Sequence, residues 1–116
     1  MLRNARASLQ DIVEATDYLL DEAPVTDFAA YLKDKTLRFA VERAFMSIGE
    51  AMAVLRRDHP VVFDRFAQSN EMVGFRNILV HKYWSVDDAD VWSTLQSKVE
   101  PLRELAKKLL VDSAVR

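Results

Sequence analysis

The chain has 116 residues, of which 50% are hydrophobic and 29% are charged, and its formal net charge is −2. These proportions are typical of one globular domain, here residues 1–116, that buries its own core. The absence of cysteine excludes disulfides and thiolate catalysis, and the small net charge argues against extended, salt-driven coating of nucleic acid.

The apolar segments and the first residues bear on the location of the protein. No apolar run approaches the ~18 residues that a membrane span requires, so no membrane partner is expected. The first residues lead into charged, amphipathic sequence, unlike the apolar core of a signal peptide. A chain without cysteine also suits a reducing compartment, and we expect a cytoplasmic protein.

Only two glycines and three prolines occur, and no useful stretch alternates as a strand would, so we expect an all-α fold. The first helix is expected over about residues 2–21, ending before Pro24 because the residue preceding proline disfavours helix. Thr26 or Asp27 is expected to cap a short helix that follows. The apolar stripe of the first helix comprises Leu2, Leu9, Ile12, Val13, Thr16, Leu19 and Leu20.

A long helix is expected over about residues 34–57, ended by His59 and Pro60. Its predicted core face comprises Leu37, Ala40, Val41, Ala44, Phe45, Ile48, Met52 and Leu55. Residues 61–68 are ambiguous, although their apolar side chains must be buried, on a short helical turn or otherwise. These side chains are Val61, Val62, Phe63 and Phe66.

Two further helices complete the prediction. The third long helix should begin at Ser69 or Asn70 and end at Tyr83. Ser85 or Asp87 should cap a last helix to about residue 110, which Pro101 should kink by removing a backbone hydrogen bond. The chain is therefore expected to form an antiparallel four-helix bundle with an additional short helix.

The third long helix carries the residues best suited to chemistry, Arg76, Asn77, His81 and Tyr83. A permanent cation, a titratable imidazole and a polar amide suit phosphodiester chemistry. On a helical wheel Asn77 and His81 are one turn apart, whereas Arg76 and His81 lie about 140° apart. A second copy of the chain would bring another set of these groups into one cleft.

A structural reading of the same residues stays open. Arg76 would then form an ordinary salt bridge, and the His81 ring would be half-buried. Trp84 would anchor the helix against the bundle. Val80 and Trp84 make an exposed apolar strip that is typical of an interface. Glu50 is either an ordinary helix glutamate or a partner of an arginine such as Arg76. His59 is expected in a loop or capping role, and no metal site or cofactor is expected.

A longer string, residues 73–87, resembles the signature of HepT-like proteins, which are HEPN-domain toxins paired with a minimal nucleotidyltransferase antitoxin called MntA. Their pattern is an arginine, four residues, a histidine, any residue and a tyrosine, as in Arg76, His81 and Tyr83. Further matches are residues 48–51 in the long helix and residues 91–92 in the last helix. The resemblance therefore covers nearly the whole chain in order.

The resemblance implies an all-α HEPN bundle that forms a homodimer, with the two copies of the motif helix lining a shared cleft. It implies a metal-independent endoribonuclease, with tRNA among its substrates, in a type VII toxin–antitoxin pair. Arg76 and His81 match the catalytic pair of the family, and Asn77 matches a supporting polar position. Tyr83 matches the tyrosine to which the antitoxin transfers AMP, which silences the toxin.

Elementary chemistry agrees with these roles, because RNA carries its own nucleophile in the 2′-hydroxyl. His81 would move the proton as general base or general acid, and Arg76 would bind the phosphate and stabilise the transition state. Asn77 would orient His81 or the phosphate. The alternatives are a non-catalytic HEPN subunit that supplies substrate binding or regulation to a nucleotidyltransferase, and a plain dimeric scaffold.

Overall fold

Helices make up the regular structure of the described part of the chain. The structure is a computed structural model that describes residues 3–23 and 27–112. Within those ranges the helices are α1 (Ala5–Asp17), α2 (Phe28–Lys33), α3 (Lys35–Asp58), α4 (Pro60–Asp64), α5 (Ser69–His81), α6 (Asp88–Ser97) and α7 (Val99–Val111). A π-helical turn, Tyr18–Glu22, extends α1, and a 3₁₀ turn, Tyr83–Ser85, follows α5. The predicted all-α fold is confirmed.

Short polar side chains fix where four helices begin, because each accepts a hydrogen bond from a backbone N–H that the helix leaves unpaired. Asn4 caps α1 through the N–H of Arg6, and Asp27 caps α2 through the N–H of Ala30. The Asp27 cap was predicted; its alternative, Thr26, lies outside the described residues. The remaining two caps are Asp34 on α3 and Asp87 on α6.

The long helix α3 is the centre of the bundle and packs between α1 and α5, while α7 packs on α1. Their facing side chains form one hydrophobic core, whose fully buried members include Leu9, Ile12, Val41, Phe45, Ile48, Met52, Leu55, Met72, Leu102 and Leu109. The end of α3 is tied to the start of α1, since His59 Nε2–H donates to the Arg3 carbonyl oxygen at 2.6 Å. The loop or capping role predicted for His59 is confirmed.

The first helix differs in detail from its prediction. It is α-helical only to Asp17 and then widens into the π-helical turn that ends at Glu22, ahead of Pro24 as predicted. Leu2, placed in the first helix from its sequence, lies outside the described residues. Val61 was expected to be buried but is 78% exposed, whereas Phe63 and Phe66 are buried as predicted.

The later helices also depart from the prediction at two points. The last predicted helix is two helices, α6 and α7, which separate at Lys98. The break lies three residues before Pro101, where the missing proline N–H leaves the preceding turn without its bond. The motif helix α5 ends at His81, two residues earlier than predicted.

The contact between α3 and α5 depends on Gly49. A Cβ atom placed at Gly49 would lie 2.1 Å from Arg76 Cβ and 2.7 Å from the Met72 carbonyl oxygen. No real side chain tolerates such distances, so the backbone of α3 approaches α5 closely only because residue 49 has no side chain. Gly74, on α5, differs because a Cβ there would meet nothing within 4 Å.

The two glycines therefore make a matched pair of stability tests. Gly49→Ala should lower the free energy of unfolding by about 1–3 kcal/mol, since α5 must move away from α3. Gly74→Ala should raise it by about 0.5–1 kcal/mol, because alanine restricts the unfolded chain and favours helix. Urea unfolding of both variants measures the difference, and equal effects at the two positions would contradict the role of Gly49.

Candidate active site on α5

Packing of α5 against the bundle decides which of its side chains reach the surface. Met72, Val73 and Leu79 are buried, and the Phe75 ring packs on Phe45 with ring centroids 5.2 Å apart. Ile78, although apolar, is 42% exposed. The Cβ atom of Arg76 lies directly against Gly49 of α3, and this contact fixes where the Arg76 side chain begins.

The guanidinium of Arg76 is held on two sides. Its Nη2 lies 2.9 Å from Glu50 Oε2, and its Nη1 donates a hydrogen bond of 2.9 Å to Asn77 Oδ1. The Arg76 side chain keeps 27% of its surface exposed, and that of Glu50 keeps 56%. Of the two roles that the sequence left open for Glu50, the structure therefore has the pairing with Arg76. A fixed, partly exposed guanidinium can bind an anion such as a phosphate.

Asn77 contacts Arg76 rather than His81. The sequence left open whether Asn77 orients His81 or the phosphate, and the helical spacing allows a contact between Asn77 and His81. The Asn77 amide oxygen instead accepts from Arg76. Asn77 therefore helps to hold the Arg76 guanidinium in place.

His81 is the last residue of α5 and is exposed. The helix ends there because Lys82 leaves the helical region, with φ −136° and ψ 43°, while its N–H closes the last turn on the Ile78 carbonyl oxygen. The imidazole has no hydrogen-bond or ion-pair partner among the described residues. The imidazole is accessible to a substrate, and no polar contact with the described residues fixes its orientation.

Tyr83 and Trp84 lie in the 3₁₀ turn directly after α5. Their side chains are 71% and 73% exposed, and the two rings meet edge to face with centroids 5.4 Å apart. The Ser85 hydroxyl donates to the Lys82 carbonyl oxygen at 2.9 Å, which stabilises the turn. Because α5 ends at His81, Tyr83 does not continue the helical spacing of Arg76.

The three tyrosines differ sharply in accessibility. Tyr31 is fully buried, and its hydroxyl has no hydrogen-bond partner. Burial, followed by the negative charges of Glu42 and Asp88, raises the pKa of Tyr31 far above its usual value. Tyr18 is half-buried, and Tyr83 alone of the three extends largely into solvent. Tyr83 is therefore the tyrosine most open to covalent modification.

The close approach at Gly49 is the part of the site that sequence reasoning missed. The resemblance to HepT-like proteins includes residues 48–51, but it gives Gly49 no physical role. The available signal was a glycine within the buried stripe of a long helix, where alanine would be the better helix former. Among the described residues, no three His, Asp or Glu side chains are grouped so that they could hold a metal ion, and no helix is both long and apolar enough to cross a membrane.

Comparison with known proteins gives the family. Residues 8–109 match the ribonuclease HepT-like family, a range that includes α3, α5 and all the candidate site residues. The chain belongs to the ribonuclease HepT-like family. The match extends from within α1 to within α7, so it covers nearly the whole sequence and not the motif of α5 alone.

Relatives agree with the HepT-like assignment. A predicted RNase of Methanocaldococcus jannaschii is 32% identical over 102 residues, which cover 88% of this chain and 93% of the relative. A Thermococcus cleftensis protein named as a probable ribonuclease HepT is 33% identical over 113 residues, covering 94% and 98%. A predicted RNase of Caldanaerobacter subterraneus is 25% identical over 109 residues, covering 94% and 96%. No solved structure gives a significant match.

Proposed function

We propose that this HepT-like chain is a metal-independent endoribonuclease that acts as the toxin of a type VII pair. RNA is the substrate, with tRNA the first class to test, and Arg76 and His81 act at the scissile phosphate. A minimal nucleotidyltransferase silences the enzyme by transferring AMP to Tyr83. The observation that carries the proposal is a guanidinium fixed at the surface by Glu50 and Asn77, on the same helix as an exposed histidine.

The bond changes assign one role to each group. His81 takes the proton of the 2′-hydroxyl as this oxygen attacks phosphorus, and the bond from phosphorus to the 5′-oxygen breaks. The departing 5′-oxygen receives a proton from an imidazolium, which leaves a 2′,3′-cyclic phosphate and a free 5′-hydroxyl. Arg76 binds the non-bridging oxygens, whose negative charge grows in the transition state. The nucleophile belongs to the RNA, so these steps require no metal-generated hydroxide.

A homodimer supplies what one chain lacks. Arg76 and His81 are five residues apart, which on one helix means about 140° of rotation and about 7.5 Å of rise. One histidine also cannot serve as base and as acid in a single step. Two copies facing each other across the motif helices provide both proton roles, and exposed Trp84 offers apolar surface for that contact.

Surface charge favours one approach for the RNA. A groove of about 850 Å³ runs along α1 and α3, and its five carboxylates outnumber its two arginines, Arg3 and Arg43; the carboxylates belong to Asp11, Glu14, Asp17, Glu22 and Glu50. These negative charges repel a phosphate backbone. The RNA strand therefore approaches Arg76 from the α5 side, where Asn77, His81 and Tyr83 are exposed.

Replacement of the two catalytic candidates tests the proposal directly. His81→Ala should lower the rate of tRNA cleavage by about 100-fold or more, through loss of proton transfer. Arg76→Ala should lower it by a similar factor, through loss of transition-state stabilisation. Arg65→Ala, at an exposed arginine directly after α4, is the matched control and should cleave as the wild type does. The measurement is gel analysis of end-labelled tRNA with purified protein.

Contrary outcomes of this experiment are equally clear. If wild-type protein that carries no AMP leaves total RNA intact, the endoribonuclease assignment fails and the non-catalytic HEPN subunit is favoured. If Arg76→Ala and His81→Ala cleave as well as Arg65→Ala, the activity belongs to other residues.

Mixed dimers test whether the two copies of His81 act together. Dimers with one wild-type and one His81→Ala subunit should have far less than half the activity of the wild-type dimer, because one proton role is lost from the shared cleft. Differently tagged subunits allow the mixed dimer to be purified before its cleavage rate is measured. Half the wild-type activity would show that each His81 works alone.

Transfer of AMP to Tyr83 has a mass signature. Incubation with the nucleotidyltransferase and ATP should add ~329 Da for each AMP, by the formula of the nucleotide. The bulky, negatively charged nucleotide blocks the cleft and repels the RNA backbone, so RNA cleavage should fall in proportion. Tyr83→Phe should gain no mass and keep its activity, whereas Tyr18→Phe, the control, should still be modified. Modification of the Tyr83→Phe variant would refute the assignment.

A further inference from the structure

We propose that Glu50 is a positioning residue that neutralises the charge of Arg76 at rest. The substrate phosphate must then displace the Glu50 carboxylate or share the guanidinium with it. The proposal rests on the RNA-cleaving function above and adds a regulating contact to the same site. It concerns one ion pair, from Glu50 on α3 to Arg76 on α5, which is the polar connection between the central helix and the motif helix.

The backbone geometry makes this ion pair short. Gly49 lets α3 approach until the space for its Cβ is occupied by the Arg76 side chain. The next residue, Glu50, then lies one helical step around α3, and its carboxylate reaches the guanidinium at 2.9 Å. A side chain at position 49 would push α5 away and lengthen the pair. The adjacent Gly49 and Glu50 therefore act together on Arg76.

The Glu50 carboxylate weakens the attraction of Arg76 for an incoming phosphate. A guanidinium carries one positive charge, and the Glu50 carboxylate cancels it, while Asn77 takes another N–H donor. A phosphate that arrives at Arg76 thus meets a neutral pair instead of a bare cation. Glu50 is 56% exposed, and exposed pairs contribute little free energy, so the contact opens at small cost.

The charge and the reach of Glu50 have separable effects. Glu50→Gln keeps the length of the side chain and an oxygen acceptor but removes the charge. Glu50→Asp keeps the charge but is shorter by one methylene, which displaces the guanidinium by about 1.5 Å if the pair is maintained. A merely structural glutamate would show neither pattern, because loss of stability lowers the concentration of active protein without altering KM or salt dependence.

The test compares these variants with Glu104→Gln, an equal charge change at an exposed site on α7. Glu50→Gln should lower the KM for RNA cleavage about threefold, the range of an exposed ion pair. Binding of this variant to a short, labelled single-stranded RNA is measured in a His81→Ala background. The slope of the logarithm of the binding constant against the logarithm of salt concentration should be steeper by about 0.7. Glu50→Asp should lower kcat about tenfold or more with little change in KM, since misplaced groups lose rate.

A second measurement does not depend on RNA cleavage. Titration of inorganic phosphate, followed through the Arg76 Nε signal in ¹⁵N NMR spectra, should give about threefold tighter binding in Glu50→Gln than in wild type. If RNA is not cleaved but phosphate binding tightens in this way, the proposed function fails and the role of Glu50 stands. If Glu50→Gln matches Glu104→Gln in KM, salt dependence and phosphate binding, the inference is overturned.

Discussion

The contact of α3 with α5 at Gly49 is the constraint on which the rest of the site depends. Two helices normally meet through their side chains, but here the Arg76 side chain occupies the space that a Cβ of residue 49 would need. This close approach sets the depth at which α5 lies in the bundle. It therefore also sets how far Arg76 extends into solvent and whether Glu50 can reach it. A core feature, the absence of one side chain, thereby controls the position of a surface cation.

The side chains of Arg76 and His81 on α5 differ in how firmly they are held. Arg76 is held by an ion pair and by a hydrogen bond, whereas His81, one and a half turns later, has no polar partner among the described residues. The two partners hold the Arg76 guanidinium at one place, so a phosphate that displaces the Glu50 carboxylate finds the cation already in position. A group that transfers protons must instead be aligned by the substrate or by a second subunit. In the single chain, the Arg76 guanidinium is therefore already positioned, whereas the His81 imidazole must be oriented by a substrate or a second subunit.

The end of α5 has its own function in the proposed toxin. Because the helix stops at His81, the next residues form a short turn instead of another helical turn that would follow the bundle surface. The turn exposes Tyr83 and Trp84, whereas Tyr31 is enclosed within the bundle. A modifying enzyme can reach the first hydroxyl and not the second. The local ending of one helix therefore leaves Tyr83 exposed to solvent, whereas Tyr31 belongs to the core.

Local sequence determined the all-α class, the approximate helix limits and two of the caps, because these depend on apolar spacing, on Asp27 and Asp87, and on the prolines. It also singled out Arg76, His81 and Tyr83 as a motif, since their spacing is written in the chain. Only the tertiary structure decided that α5 stops at His81, that Asn77 faces Arg76, and that Glu50 pairs with Arg76 across two helices. Such contacts join residues distant in sequence, and their distances follow from packing around Gly49, which no periodic pattern records.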